Sequence, residues 1–154
     1  MLAQTYAENY KCDQVLYLDA LKHEFVDELG GMNFFVVRNG ELITPNLNGA
    51  ILAGVTRRSI LDLAPTLGFK GKEQPLSFTE ILQDLESGRI TEAFACGTAA
   101  VIHPIGEFAV QDKTDGPVKT IKLPEARPVA FKFLDTLQAV QRGAVKAPGD
   151  WLFR

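Results

Sequence analysis

The dipeptide Asn39-Gly40 lies between two apolar runs, and it constrains the fold of this chain more than any other feature. Residues 32–37 and 41–44 flank Arg38-Asn39-Gly40, and both runs contain residues that favour strands. An Asn-Gly pair readily adopts the two positive φ angles of a tight hairpin turn. The pattern therefore predicts an antiparallel hairpin at this point.

Further strands are expected on both sides of the hairpin. The segment 14–19 is almost continuously apolar, which predicts a strand covered on both faces. Apolar runs bounded by turn residues predict the other strands, at 25–29, 90–96, 99–105, 108–111 and 118–123. The turn between the last two covers 112–116, and 45–53 reads as a loop.

Helices are expected between these strands. One begins with Thr56 as its N-cap and stops at Gly68, and the next begins at Ser77 in a capping-box pattern and ends at Gly88. Helical spacing of apolar residues also predicts a short helix over 2–10 and a last one near 129–140. Because strands and helices do not alternate strictly, the predicted class is mixed α/β with antiparallel pairs.

Composition excludes several classes of protein. The 154 residues, 46% apolar and 23% charged, fit one globular domain or part of one. The net charge is −3 without a basic cluster, so a nucleic-acid partner is not expected. Cys12 and Cys96 lie far apart, which gives no disulfide framework or zinc motif and favours a reducing cytoplasm. We expect no metal site, and no secretion signal or membrane span within these residues.

Two segments combine glycine and threonine where a chain could bind an anion. At Leu52–Arg57 a loop enters a predicted helix, whose free N–H groups and dipole attract phosphate. Gly97-Thr98 separates two predicted strands. Each segment also has an ordinary interpretation, with Thr56 as a plain N-cap and Gly97 at a β-bulge.

Other polar residues carry weaker signals. Asp27 and Glu28 share a strand, so alternation directs one of them inward, where a carboxylate needs a partner; the residues themselves do not say which. His23 and His103 have no spaced ligand partner and are interpreted as structural. The sequence contains no GxSxG, P-loop or HExxH motif.

Four motifs taken together give a sharper interpretation. In order and spacing they resemble the branched-chain aminotransferases, which are class IV pyridoxal-phosphate enzymes, and the resemblance runs from Leu2 to Trp151. The motifs occupy 14–19, 28–33, 52–57 and 96–100. The resemblance implies that residues 1–154 form most of the C-terminal, cofactor-binding large domain. This domain is a pseudo-barrel of the D-amino-acid aminotransferase-like fold, here truncated at its N-terminal edge and without the small N-terminal domain.

The resemblance also implies roles for individual residues toward pyridoxal 5′-phosphate. Glu28 matches the partner of the ring nitrogen, and Leu52 matches a residue packed against the ring. The phosphate would be bound around the two Gly-Thr segments, by Gly54, Val55, Thr56, Gly97 and Thr98. Thr98 and Ala99 match the turn that receives the substrate carboxylate.

The sequence also departs from the family pattern at several positions. Family members carry the Schiff-base lysine in a Lys-x-Gly-Gly-Asn-Tyr-like stretch, which these 154 residues do not contain. Lys11 and Lys22 stand in the wrong context to replace it, so no catalytic residue is assigned and the chain alone is expected to be inactive. Ala100 and His103 replace the redox cysteines of animal members, and Gly31 stands where many members have Thr.

The leading expectation is a transaminase that moves an amino group between Leu, Ile or Val and 2-oxoglutarate, in a homodimeric parent enzyme. A D-amino-acid aminotransferase or an aminodeoxychorismate lyase is an alternative with the same fold, but residues 54–60 and 96–100 favour the branched-chain group. The other alternative is a non-catalytic fragment that binds the cofactor or another anion.

Overall fold

A computed structural model describes residues 2–98, 101–111, 116–149 and 151. In chain order its elements are α1 (Leu2–Asn9), β1 (Leu16–Leu18), β2 (Val26–Leu29), β3 (Asn33–Arg38), β4 (Glu41–Thr44), α2 (Val55–Leu63), a 3₁₀ turn (Pro65–Leu67), β5 (Gly71–Glu73), α3 (Phe78–Glu86), β6 (Ile90–Gly97), β7 (Val101–Pro104), β8 (Glu107–Val110), β9 (Lys119–Lys122) and α4 (Pro128–Gln141). The longest of these helices has 14 residues, and no helix in this part of the chain could cross a bilayer.

The centre of the fold is a five-stranded sheet in the order β5-β4-β3-β6-β7. All its pairs are antiparallel except β4 with β5. The predicted hairpin is confirmed: Arg38 pairs with Glu41, and Asn39 and Gly40 have φ angles of 50° and 77°. The mixed α/β class is confirmed as well.

Strand β3 separates two hydrophobic cores because neighbouring side chains of a strand point to opposite faces. Phe34 and Val36 pack on the face covered by α3 and the short strands β2 and β9. Phe35 and Val37 pack on the other face, against α2 and α4. There Phe35 stacks on Phe94 with 5.2 Å between ring centroids. Helix α2, which begins within the third motif (52–57), is thereby fixed to the sheet.

The ends of α2 differ in part from the expectation. The prediction that Thr56 is the N-cap is wrong: Gly54 occupies that position and Thr56 lies inside the first turn. The α-helix ends at Leu63, because Pro65 has no N–H with which to continue it. A 3₁₀ turn then leads to Gly68, whose φ of 83° makes it the predicted glycine stop.

The start and stop of α3 agree with the sequence. The Ser77 hydroxyl accepts a hydrogen bond from the Glu80 N–H at 3.4 Å. Gly88, with φ of 74°, follows the end of the helix. Both signals are local, which explains why they could be recognised without knowledge of the tertiary fold.

Strand β1 is less buried than the sequence predicts. The prediction of a strand covered on both faces is wrong, because β1 spans Leu16–Leu18, pairs with β2 in a two-stranded sheet, and leaves Tyr17 39% exposed. Its apolar residues reflect local strand propensity rather than a place in the central sheet.

A buried carboxylate fixes the start of α4. Glu92 in β6 is 2% exposed and accepts hydrogen bonds from the N–H groups of Val129 and Ala130, both at 2.9 Å. These are first-turn donors that the N-cap residue, Arg127, does not satisfy with its side chain. A residue 37 positions earlier in the chain therefore caps the helix.

Candidate functional site

The first turn of α2 faces solvent without a side-chain cap. Gly54 is the N-cap, with φ of −67° and ψ of 139°, and its own N–H donates to Leu52 O at 2.8 Å. The N–H groups of Val55, Thr56 and Arg57 have no acceptor within the helix, as at the start of any α-helix. The Val55 side chain is 83% exposed, so this turn lies at the surface. The free backbone N–H groups and the positive end of the helix dipole are therefore located there.

The backbone of Leu52, next to this turn, is held by two side chains. The Leu52 N–H donates to Glu28 Oε2 at 3.4 Å, and the Leu52 carbonyl accepts from Asn33 Nδ2 at 2.8 Å. The Leu52 side chain is 69% exposed. The structure thus brings together Glu28, Leu52 and Gly54, three of the residues that the sequence singled out.

Asp27 and Glu28 both contact the loop that leads to α2. Asp27 Oδ1 accepts from Asn48 Nδ2 at 2.8 Å, while Glu28 meets Leu52, and both acidic residues are half-buried. The expectation that one of the pair needs a partner is therefore too narrow, because the loop supplies a partner to each. Only Glu28 is bonded to a residue of the predicted cofactor set, and its role toward a ring nitrogen stays a prediction.

Asn33 connects the start of α2 with the end of β6. Its backbone is in register with Cys96, and a Cβ atom added at Gly54 would overlap its side-chain oxygen. Gly97 follows Cys96, and Thr98 is exposed in the turn beyond it. The approach of Thr98 to the phosphate position stays a prediction, and Ala99 lies outside the described residues.

Val101, the first residue of β7, has a strained backbone. Val101 pairs with Gly97 and has a φ of 54°, which is a left-handed conformation that a β-branched residue rarely adopts. Such strain persists only where the surroundings enforce it, and it is concentrated at functional sites. This observation adds weight to the segment that the Gly-Thr pattern singled out.

Arg57 is a buried cation that the sequence interpretation did not single out. It is 3% exposed, and its Nη2 donates to Pro45 O at 2.9 Å and to Glu73 Oε1 at 2.5 Å. Its Nε has no hydrogen-bond partner among the described residues. Arg57 precedes Ile60 by three positions and Ala64 by seven, so the helical period alone could have predicted its burial.

Cys96 is an inert thiol at the edge of the site. Burial raises its pKa to about 12, an effect that the nearby charge of Arg57 partly offsets. The interpretation of Cys96 as a small buried residue is confirmed. His103 is exposed on β7, and no group of His, Cys, Asp or Glu within the described ranges could hold a metal ion.

A groove of about 950 Å³ runs along α2. Gly54, Val55 and Arg57 line it on one side, and Trp151 lines it near the C-terminal end of α4. Glu28 and Leu52 are not among its lining residues. The groove therefore reaches the first turn of α2 but lies beside, rather than over, the Glu28–Leu52 contact.

Comparison with known proteins identifies the class. Residues 1–108 match the model of the class IV amino-transferase family, and the chain belongs to that family. A probable branched-chain-amino-acid aminotransferase of Streptomyces coelicolor is 43% identical over 152 residues, which are 99% of this chain and 41% of that protein.

Solved structures agree with this result. The branched-chain aminotransferase of Thermoproteus uzoniensis, crystallised with norvaline, matches with a TM-score of 0.77 and 31% identity over 99% of this chain and 45% of that one. The holo, PLP form of the enzyme from Thermobaculum terrenum matches with a TM-score of 0.76 and 30% identity, again over 99% and 45%. The chain spans less than half the length of each of these proteins.

Proposed function

We propose that this chain supplies the phosphate-binding turn and the ring-nitrogen partner of a pyridoxal-phosphate-dependent branched-chain-amino-acid transaminase. The observation that carries the proposal is the contact of Glu28 with the Leu52 N–H, two residues before the uncapped start of α2. A carboxylate and a set of phosphate donors are the two kinds of group that this cofactor needs from a protein, apart from a lysine. The names of the similar proteins support the same activity.

The residues present fit the cofactor. A helix start without a side-chain cap leaves N–H groups for a phosphate dianion, and the Thr56 hydroxyl adds a donor in the same turn. Leu52 and Val55 expose apolar side chains beside those donors, which would cover a pyridine ring and exclude water from it. Gly54 places backbone rather than a side chain at the approach to this turn.

Each residue then has a defined task. The Glu28 carboxylate would accept a hydrogen bond from the protonated ring nitrogen, and its bond to the Leu52 N–H orients it. The first-turn donors of α2 would bind the phosphate on one side. The Gly97-Thr98 turn, at the end of β6, would bind it on the other side. When bound, pyridoxal phosphate supplies an electron sink for the substrate's α-carbon.

We propose that the substrates of the complete enzyme are Leu, Ile or Val and 2-oxoglutarate. Residues 1–154 do not include the stretch that carries the Schiff-base lysine in the family. The chain by itself is therefore proposed to bind the cofactor without turnover. Both cysteines are free thiols, which supports a cytoplasmic location.

Trp151, the sole tryptophan, gives a direct test because it lines the groove that reaches Gly54 and Val55. Pyridoxamine 5′-phosphate is the probe, since it has no aldehyde with which to label surface lysines. We expect saturable quenching of the tryptophan fluorescence that inorganic phosphate reverses. Pyridoxamine without its phosphate should quench weakly.

Two variants sharpen this test. Thr56→Val should weaken binding about 5- to 10-fold, because one hydroxyl donor to a charged phosphate is lost. Thr79→Val is the matched control, since Thr79 is an exposed residue of α3, and its binding should equal that of the wild type. Equal affinity for the two pyridoxamines, or equal loss in the two variants, would contradict the proposed site.

A further inference from the structure

Asn33 is a polar residue buried at the start of the central strand. It is 5% exposed and lies at the first position of β3. Its side chain crosses to the loop before α2, donating from Nδ2 to Leu52 O at 2.8 Å. A buried amide in a strand costs free energy unless its bonds are made, so this contact is a specific feature of the fold.

Leu52, whose carbonyl accepts from Asn33, is also the residue whose N–H donates to Glu28. The two peptide groups that flank the Leu52 Cα are therefore each held by one side chain, the first by Glu28 Oε2 and the second by Asn33 Nδ2. The same carbonyl accepts from the Gly54 N–H at 2.8 Å, which ties it to the N-cap of α2. The backbone of Leu52 therefore connects the Glu28 carboxylate, through its N–H, with the first turn of α2, through its carbonyl.

This spacing matters because pyridoxal phosphate carries its ring nitrogen and its phosphate on one rigid ring. A protein that binds both groups must hold their partners at one fixed separation, and an error of about 1 Å is costly. Glu28 and the α2 turn belong to different elements, β2 and α2. Of the two side chains that bond the backbone of Leu52, Asn33 is the buried one, and it is anchored through its backbone to β6.

We infer that Asn33 is a positioning residue that sets the distance between Glu28 and the phosphate-binding turn by holding the Leu52 carbonyl. This role rests on the proposed function. It predicts that loss of the Asn33 side chain affects a ligand that spans both groups more than a ligand that meets only the turn.

The experiment compares Asn33→Ala with Thr44→Val in the full 154-residue chain. Thr44 is a matched control because it is 1% exposed and its hydroxyl makes a buried bond to Phe34 O at 2.7 Å, a bond that does not involve Leu52. Dissociation constants are measured for pyridoxamine 5′-phosphate and for inorganic phosphate. Melting temperatures are recorded for each variant.

We expect Asn33→Ala to weaken pyridoxamine 5′-phosphate binding about 10-fold and inorganic phosphate binding less than about 3-fold. In Thr44→Val the ratio of the two constants should stay at the wild-type value although the melting temperature falls. If Asn33→Ala weakens both ligands equally, the residue is merely structural and the inference is overturned.

Amide NMR signals distinguish failure of this inference from failure of the proposed function. If the wild-type chain binds neither ligand, the proposed function of the chain fails. The positioning role is then judged from the ligand-free signals of Leu52, Gly54 and Val55. Displacement of these signals in Asn33→Ala but not in Thr44→Val supports it, and signals that stay in place overturn it.

Discussion

The side-chain oxygen of Asn33 fills the space into which a side chain at Gly54 would project. The backbone angles of Gly54, φ −67° and ψ 139°, are accessible to any residue. The obstacle to a side chain at this N-cap is therefore steric and not conformational. A larger residue at position 54 would require the Asn33 amide to move.

Gly54→Ala should lower the free energy of unfolding by about 1–3 kcal/mol, because an added methyl group in a filled space forces neighbouring atoms to move. Chemical or thermal denaturation measures the loss. Gly106→Ala is the control, since the nearest atom to a Cβ there is Arg127 Nη2 at 3.7 Å, an ordinary contact.

The double variant Asn33→Ala/Gly54→Ala identifies the cause of that loss. Once the amide is gone, Gly54→Ala should cost at least about 1 kcal/mol less than it does in the wild type. If the losses of unfolding free energy in the two single variants simply add up in the double variant, the Asn33 side chain is not what excludes a side chain at Gly54.

Glu92→Ala should destabilise the chain by about 2–3 kcal/mol, because two buried N–H groups at the start of α4 lose a charged acceptor. Glu92→Gln keeps one acceptor oxygen and should cost less. Unfolding curves in urea give both values, with Glu125→Ala, an exposed site, as the reference. A loss for Glu92→Ala no larger than that of the reference would refute the capping role.

Asp19 should titrate well below an ordinary aspartate. Hydrogen bonds from the N–H groups of Phe25, Lys22 and Glu24 lower its pKa from 3.8 to about 2. Because the folded pKa lies below the unfolded one, these bonds stabilise the 19–25 turn fully above about pH 4, and the stabilisation is lost as the pH falls toward 2. The amide shifts of Lys22 and Phe25 should follow that midpoint.

Asp19→Asn should abolish this titration, since the amide carries no ionisable proton in that range. A midpoint near pH 4 in the wild type would mean that the three N–H groups do not hold the ionised carboxylate.

Cys96 should resist alkylation in the folded chain. Its raised pKa, near 12, leaves almost no thiolate at pH 8, and it is fully buried, whereas Cys12 is half-buried. Mass spectrometry after iodoacetamide treatment should therefore find one label, on Cys12, and two labels in urea. Cys12→Ala should show no label until the chain unfolds, and rapid labelling of folded Cys12→Ala would contradict the burial of Cys96.

A polypeptide of residues 1–154 should not transaminate leucine with 2-oxoglutarate, even at saturating pyridoxal phosphate. Transaminases need a lysine to bind the cofactor covalently and to move the α-proton of the substrate. Lys11 and Lys22 are exposed residues of segments outside the site. Turnover above that of free cofactor, or a borohydride-trapped adduct on either lysine, would contradict this expectation.

Local signals explain which parts of the structure the sequence could predict. The Asn39-Gly40 hairpin, the Ser77 cap and the glycine stop at Gly68 depend on residues within a few positions of each other, and all three were predicted. Strand β5 was not predicted, because Gly71–Glu73 contains no strand former. It is a strand by virtue of its parallel pairing with β4.

The sequence by itself determined the elements and the residues with suitable chemistry, since helix periods, turn residues and ordered motifs are written along the chain. The tertiary structure decided how those residues meet. Glu28 and Asn33 reach Leu52 from 24 and 19 positions away, and Glu92 caps α4 across 37. Such contacts have no local signature, because their free energy arises only when burial brings distant donors and acceptors out of water together.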